Sequence, residues 1–378
     1  MDLSMEWTRK KQGVDPLLVS TIIIFLGVGL VTLYGASYGA GEYFYKDGYY
    51  FIHRQLLFAG AGLVFFVLLS LLNLEIIRQW VKPLVIFSFI LCVLPFIPGI
   101  GVVKNGAARW IRLGPVGFQP SELVKLVIPL YLAHILDKKQ DRLDDVFSVL
   151  LPPMIILSLF FIIIYLQNNF STASFIVLNG LLLLFLGGIR LRHFLGLAVI
   201  VAPVAVFMVI TKEYRLQRVM SFLQPEWDPL GASFQIRSSL ATIRSGGIFG
   251  KGLGASMRDP IHVPEIHSDF IFASFARDTG LVGVALFFIL VLIFLVRASQ
   301  IAFDGMNPFS RLLALGITTT LVTQIILNVA VVSATIPATG VPLPFFSAGG
   351  SSLFVTLGSC GILVNVSRYR MMRKGAYV

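Results

Sequence analysis

Long apolar stretches recur along the chain and constrain its fold more than any other feature. They cover residues 16–36, 55–73, 81–99, 120–136, 146–166, 171–188, 193–211, 280–297, 309–332 and 348–367. A helix needs about 20 mainly apolar residues to cross the hydrocarbon core of a bilayer. The sequence therefore predicts an all-α, polytopic membrane protein with about ten transmembrane helices, in which residues 1–378 form a single transmembrane domain.

The composition agrees with a chain that is folded in a non-aqueous solvent. Charged residues make up 13% of the chain and hydrophobic residues 56%, whereas a soluble domain carries roughly 25% charged residues. The net charge of +11 comes from Lys and Arg scattered between the apolar stretches. This pattern argues against a nucleic-acid-binding protein and fits contact with anionic membrane lipid. Cys92 and Cys360 lie in apolar stretches and predict neither a disulfide nor a metal site.

The distribution of Lys and Arg predicts the orientation of the chain. Basic residues are concentrated in the loops on the side of both termini, for example at 9–11, 138–142 and 368–374. Short cytoplasmic loops carry the excess of positive charge in membrane proteins, so we expect both termini in the cytoplasm. Residues 211–280 then form the large extracytoplasmic loop.

A polar stretch at the start of the fourth apolar segment contains an acid and a base at helical spacing. Glu122 and Lys125 share one face of a helix that begins near Pro120, with Gln119 or Ser121 as its expected cap. An ionisable pair at that depth is unfavourable unless its members neutralise each other or face a watery cavity. The sequence leaves both alternatives open.

The loop before this helix places Arg109 beside Trp110. Such a pair is typical of an interfacial anchor. The guanidinium group also presents a fork of donors that suits phosphate, so Arg109 is a candidate anion-binding residue.

The 211–280 segment contains a glycine-rich stretch and one isolated acid. Residues 245–256 hold Lys251 among several glycines, which predicts either a flexible turn or a phosphate cradle made of backbone amides. Asp269 directly precedes an apolar run, so it is a candidate general base with a pKa raised by burial, a candidate N-cap of the next helix, or both. Glu265 and His267 lie beside it, but ligands at the spacing of a metal site are missing.

Residues 336–352 combine proline and glycine with apolar side chains. Proline and glycine exclude a regular helix here. Irregular backbone at membrane depth is tolerated only where it is buried in protein or lines a cavity. We therefore expect a re-entrant or interfacial segment.

Several of these stretches resemble the SEDS family of bacterial membrane proteins (shape, elongation, division and sporulation). The family pattern Gly-Ala-x-Arg-Trp-Ile occurs at Gly106–Ile111, and Gln-Pro-Ser-Glu followed by Lys occurs at Gln119–Lys125. The Pro-Glu-x-His-Thr-Asp-Phe-Ile-Phe pattern occurs at Pro264–Phe272, with Ser268 in place of Thr. Leu-Pro-x-x-Ser-x-Gly-Gly-Ser occurs at Leu343–Ser351. The motifs follow the order of the family and point slightly to its division type.

The resemblance implies a glycosyltransferase in the bacterial cytoplasmic membrane that uses lipid II, a disaccharide-peptide on undecaprenyl pyrophosphate. It implies that Asp269 is the catalytic base, and that Arg54, Arg109 and Lys125 stabilise the pyrophosphate. Further candidate substrate-binding residues are Glu122, Lys251, Glu265 and His267, while Arg215 and Arg218 are weaker ones. A divalent cation is left open, and no dedicated metal ligands are expected. The sequence departs from the family at Asn169, Arg277, Asp278 and Ala348.

The resemblance also implies a class B penicillin-binding protein, a transpeptidase, as partner, together with other division or elongation proteins. Two other functions stay open from the sequence. A flippase for lipid II would suit many spans with interrupted helices, and a scaffold of the cell-wall machinery would need no catalytic acid.

Overall fold

A computed structural model describes residues 7–11, 13–104, 106–114, 116–140, 146–224, 232–258, 263–305 and 307–373. The helices are α1 (Pro16–Tyr45), α2 (Tyr50–Leu71), α3 (Leu74–Gln79), α4 (Val81–Val93), α5 (Pro120–Lys138), α6 (Val146–Leu166), α7 (Phe170–Leu186), α8 (Leu191–Ile210), α9 (Glu213–Leu223), α10 (Ala232–Ser245), α11 (Ala255–Arg258), α12 (Ile271–Phe303), α13 (Pro308–Val332) and α14 (Gly350–Ser367). The strands are β1 (Trp7–Lys11), β2 (Gly101–Lys104), β3 (Ala107–Leu113), β4 (Val116–Phe118) and β5 (Tyr369–Arg373).

Each apolar stretch of the sequence coincides with one helix. By length and composition, 6 of the helices in the described ranges can cross a membrane: α1, α2, α6 from Phe147, α12, α13 and α14. Two shorter apolar helices are Val81–Phe96, which adds a 3-10 turn to α4, and α7. The all-α, multi-pass class is thus confirmed, while the number of crossings stays a prediction.

Helix α14 forms the centre of the fold, and small residues allow its neighbour α2 to approach closely. A Cβ atom added to Gly358 would lie 2.4 Å from the ring of Phe65, and one added to Gly361 would lie 2.5 Å from the carbonyl oxygen of Phe66. Since larger side chains would separate the two helices, these glycines fix the position of α14. The irregular segment that precedes α14 is positioned with it.

Two features of the connecting segments differ from expectation. Strands β2, β3 and β4 form an antiparallel sheet in a stretch where the sequence predicts only a loop. The 211–280 segment contains helices α9, α10 and α11 and the start of α12, which the sequence does not predict, while its position outside the membrane stays a prediction. Neither feature needs a long apolar run, which explains why a search for such runs misses both.

Candidate active site

Asp269 lies in the turn that leads into α12, and its carboxylate is not used to cap that helix. The N-cap position is held by Phe270, without a side-chain hydrogen bond. The alternative that Asp269 is an N-cap is therefore wrong. The Ser268 hydroxyl donates to Asp269 Oδ1 at 3.1 Å. Asp269 Oδ2 lies beside Gly340, in the irregular segment before α14.

The backbone of this turn is held by groups from α13 and from the irregular segment before α14. Asn328 Nδ2 donates to the carbonyl oxygens of Asp269 and Val341, each at 2.9 Å. The Ser347 hydroxyl donates to the carbonyl oxygen of Ser268 at 2.7 Å, and the amide of Ala348 donates to that of His267 at 2.8 Å. Asn328 is buried, so its amide replaces water as the partner of both carbonyls.

The proline- and glycine-rich segment is irregular and packed within protein, as its composition predicts. Its apolar side chains at Val341, Leu343 and Phe346 are buried, and regular helix begins only at Gly350. Gly340 has a φ of 74°, and a Cβ atom there would lie 3.2 Å from Asp269 Oδ2. Glycine at this position therefore leaves room for the carboxylate.

Two arginines from different elements act on Asp269 electrostatically. Arg218 of α9 donates from Nη1 to the carbonyl oxygen of Ala338 at 3.1 Å, and this nitrogen would lie 4.0 Å from a Cβ atom on Gly340. Arg109 of β3 donates from Nη2 to the carbonyl oxygen of Asn168. The Nε atom of Arg109 is buried and has no hydrogen-bond partner within the described residues. The guanidinium group of Arg109 is thus only partly satisfied by the described residues.

The electrostatics of these groups are coupled. Burial raises the pKa of Asp269 above its ordinary value, and the negative charge of Glu265 raises it further. The hydrogen bond from Ser268 and the positive charges of Arg218 and Arg109 oppose this rise. Burial also lowers the pKa of Arg109, against the effect of Asp269. A carboxyl with a raised pKa next to cations suits a general base that works beside a phosphate.

Glu265, His267 and Arg54 lie on one flank of the turn. His267 Nε2 is 3.6 Å from Glu265 Oε2, and the His267 ring packs on Phe51 of α2 at 4.3 Å between centroids. Arg54, one helical turn further along α2, donates to the Tyr50 hydroxyl. Glu265 and His267 thus flank the turn that carries Asp269, while Arg54 lies further along α2.

Glu122 and Lys125 form a separate buried pair. Lys125 Nζ is 2.8 Å from Glu122 Oε1, and both side chains are 5% exposed. A cavity of about 10 Å³ beside them is lined by Gln324 and Thr320 of α13, which leaves room for roughly one water molecule. The contacts favour a mutual salt bridge over a role at Asp269. At the start of this helix, Gln119 is the N-cap, but neither it nor Ser121 makes a capping hydrogen bond.

Lys251 belongs to the glycine-rich turn, which packs against the start of α12. The amides of Lys251 and Gly252 donate to the carbonyl oxygens of Arg277 and Asp278, each at 3.0 Å. Amides engaged in this way are not available as a phosphate cradle. The contacts favour a turn over a phosphate cradle, and they hold this turn against α12 rather than leaving it flexible.

Two polar residues have structural contacts that the sequence does not reveal. Arg215, a weaker candidate for substrate binding, is buried between the rings of Tyr165 and Phe170, each 4.7 Å from its guanidinium carbon, and these contacts hold α9 in place. The sequence interpretation gave Asn328 no role. An amide in an apolar stretch, with Gln324 four residues earlier, is nevertheless a signal of a polar function in the interior.

Within the described ranges, no group of three His, Cys, Asp or Glu side chains is placed to hold a metal ion. Magnesium is often bound by substrate phosphates with only one or two carboxylates of the protein. A cation that binds together with the substrate would therefore not need such a group.

The fold and the site define a class: a multi-pass helical membrane protein with a buried acid in the turn before α12 and arginines from α9 and β3 that act on it electrostatically. A sequence profile described as "Cell cycle protein", and named for FtsW, RodA and SpoVE, matches residues 16–372. The chain therefore belongs to the FtsW, RodA and SpoVE family, which confirms the resemblance to the SEDS proteins.

Individual relatives agree over nearly their whole length. Stage V sporulation protein E of Bacillus subtilis is 38% identical, with 96% of this chain and 99% of the relative aligned. The probable peptidoglycan glycosyltransferase FtsW of Geobacter sp. is 35% identical, over 95% of this chain and 98% of the relative. Sporulation and division relatives match at similar identity, so the division type stays a prediction.

Solved structures match the fold over nearly the same range. A chain from a peptidoglycan synthase complex that coordinates polymerization and crosslinking gives a TM-score of 0.78 at 29% identity, covering 94% of this chain and 98% of that chain. The rod shape determining protein RodA of Thermus thermophilus gives 0.67 at 26% identity, over 94% and 97%.

Proposed function

We propose that the chain polymerises lipid II into glycan strands, with Asp269 as the general base. Peptidoglycan glycosyltransferase activity is supported by family membership and by the name of its FtsW relatives. The observation that carries the catalytic assignment is the environment of Asp269. Its carboxyl lies beside Arg218 and within electrostatic range of Arg109, in a turn whose backbone Asn328 and Ser347 hold in place.

In the proposed reaction, the carboxylate of Asp269 accepts the proton of the acceptor's 4-hydroxyl group. The oxygen of that group forms a bond to the anomeric carbon of the donor. The bond between this carbon and the phosphate oxygen breaks, and undecaprenyl pyrophosphate leaves with the electron pair. Because pyrophosphate departs readily, a single carboxylate suffices, unlike in most glycoside hydrolases, which use a pair.

Arg218 and Arg109 stabilise the negative charge that develops on the pyrophosphate. Fixed donors aimed at developing charge are commonly the largest contribution to catalysis. Arg54, Glu265 and His267 flank the turn and bind the headgroup of lipid II. Glu122, Lys125 and Lys251 are left out of the proposed contacts, because they are engaged in the salt bridge or lie on the glycine-rich turn.

The proposed location is the outer face of the bacterial cytoplasmic membrane, with both termini in the cytoplasm. A crosslinking partner of the class B penicillin-binding type is supported by the structural relative from a complex that coordinates polymerization and crosslinking. Other division or elongation proteins would complete the assembly.

Purified full-length chain in liposomes, supplied with lipid II and tested with and without the transpeptidase, decides the proposal. We expect glycan strands, resolved by gel electrophoresis, from wild-type protein and none from Asp269→Ala protein of equal thermal stability. Transfer of lipid II between leaflets without polymer would establish the flippase function instead. Absence of both activities from a correctly folded protein would leave the scaffold.

A further inference from the structure

The glycine-rich turn at residues 246–254 completes a break in α12. Gly280 has a φ of 66° and interrupts the helix, which frees carbonyl groups before it and amides after it. The amides of Leu281 and Val282 donate to the carbonyl oxygens of Gly247 and Ile248 at 3.0 and 3.1 Å. In the other direction, the amides of Lys251 and Gly252 donate to the freed carbonyls of Arg277 and Asp278.

The glycines make this reciprocal pairing sterically feasible. A Cβ atom on Gly246 would lie 2.5 Å from the carbonyl oxygen of Ala276, and one on Gly250 would lie 2.3 Å from that of Asp278. The turn is therefore pressed directly against the backbone of α12. The carbonyls of Gly247 and Ile248 and the amides of Lys251 and Gly252 are thereby hydrogen-bonded to protein rather than to water.

The side chains of the same turn are apolar and exposed. Ile248, Phe249 and Leu253 are 59%, 83% and 72% exposed. Large apolar side chains grouped in this way mark an interaction site more often than a free surface. The exposed Lys251 lies among them, as basic residues commonly do where an apolar surface meets lipid headgroups.

This surface continues directly into the exposed face of α12. Leu281 and Val282, which bond to the turn, are 63% and 44% exposed, and Leu286 and Ile289 follow on the same helix. Helix α12 is one of the helices suited to cross the membrane. An exposed apolar face of such a helix contacts lipid, so the turn lies at the edge of a lipid-facing surface.

We propose that the turn at residues 246–254 is a membrane anchor, with Ile248, Phe249 and Leu253 inserted among the acyl chains of the adjoining leaflet and Lys251 at the phosphate level. Irregular backbone enters an apolar environment only when its polar groups have partners. The backbone of the turn therefore stays at the level of the lipid headgroups, where water reaches the groups that α12 does not pair, and only the apolar side chains insert. The anchor fixes α10 and the start of α12 at the membrane surface, so the turn that carries Asp269 keeps a constant height above the lipid.

Spin labels on the full chain in lipid nanodiscs test the proposal. Single cysteines at Phe249→Cys and Leu253→Cys, combined with Cys92→Ala and Cys360→Ala, would carry nitroxide labels. We expect several-fold more collision with lipid-soluble oxygen, and several-fold less with a water-soluble nickel chelate, than for a label at Lys46→Cys. Lys46 is an exposed residue in the connection between α1 and α2.

Equal access of the nickel chelate to Phe249→Cys and Lys46→Cys would overturn the anchor. Protection from both nickel and oxygen would overturn it as well, in favour of contact with protein. Because labelled variants can misfold, the unmodified chain offers a second measurement. A lipid with a photoreactive group in its acyl chain should label the peptide that contains residues 246–254, and failure to label it while α12 is labelled would also overturn the proposal.

Discussion

Two groups of charged residues lie close together in sequence but differ in the way their charge is balanced. Glu122 and Lys125 neutralise each other inside the helix bundle at 2.8 Å. The second group is Arg109, shortly before them, with Asp269. Arg109 Nε is buried without a partner in the described part of the chain, and the guanidinium group interacts with Asp269 electrostatically. Removal of one partner from a buried ion pair leaves an uncompensated charge and destabilises the fold, whereas a perturbed ionisable group with a specific charge partner is a candidate functional group. The difference predicts that loss of the Glu122–Lys125 pair reduces stability and that loss of Arg109 reduces activity.

The largest expected effect is a loss of kcat on substitution of Asp269, which distinguishes this residue from the Glu122–Lys125 salt bridge. Asp269→Asn removes the proposed base at constant size, and loss of general base catalysis costs about 10²- to 10⁴-fold in kcat. Glycan synthesis in liposomes measures this loss, and the melting temperature should stay close to the wild type. Glu213→Gln, at the exposed start of α9, is the matched control. An Asp269→Asn protein that polymerises lipid II at the wild-type rate would refute the assignment.

Lys125→Met is expected to act on stability instead. It leaves Glu122 buried without its partner, which costs roughly 3–5 kcal/mol in the free energy of unfolding. Thermal unfolding in detergent should show this loss, and the double variant Glu122→Gln/Lys125→Met should recover most of it. If the single variant keeps its melting temperature and loses activity, Lys125 binds substrate and the comparison fails.

Arg109→Gln and Arg218→Gln test the cations that border Asp269. Each variant should lower kcat by roughly 10²-fold, because one fixed donor to the developing charge is lost. Arg244→Gln removes an exposed arginine at the end of α10 and should leave kcat unchanged. An increase in KM at constant kcat would assign the two arginines to binding of the ground state.

Asn328→Leu tests whether the support of the turn matters for catalysis. It removes the hydrogen bonds to the carbonyls of Asp269 and Val341, so the carboxylate should lose its fixed position. We expect kcat to fall roughly tenfold with little change in KM, below the hundredfold that a 1 Å misplacement can cost. Thr319→Val is the control on α13, since its hydroxyl bonds only within the helix. Equal effects of the two variants would point to a general loss of helix packing.

The sequence predicted the parts of the fold that depend on local hydrophobicity and missed those that depend on pairing between distant residues. Apolar runs located the membrane helices, because each helix that contacts lipid needs its own run of apolar residues, whatever it packs against. The family motif singled out Asp269, but only the folded chain brings Arg218, from α9, to the same glycine as its carboxylate. Likewise, Asn328 supports Asp269 across 59 residues of sequence. The break at Gly280 is explained only by the turn that caps it.

The smallest expected effect is a displacement of the pH profile. A base acts only when deprotonated, so kcat/KM should fall as the pH decreases through the pKa of Asp269, which burial raises above 3.8. Arg218 lowers this pKa and Glu265 raises it. The acid limb should therefore move to higher pH in Arg218→Gln and to lower pH in Glu265→Gln, whereas Glu213→Gln should leave it unmoved. If the acid limb moved in the same direction in Arg218→Gln and in Glu265→Gln, a group other than Asp269 would be titrating. Loss of a positive neighbour raises the pKa of a carboxylate and loss of a negative neighbour lowers it, so the two variants must differ in sign.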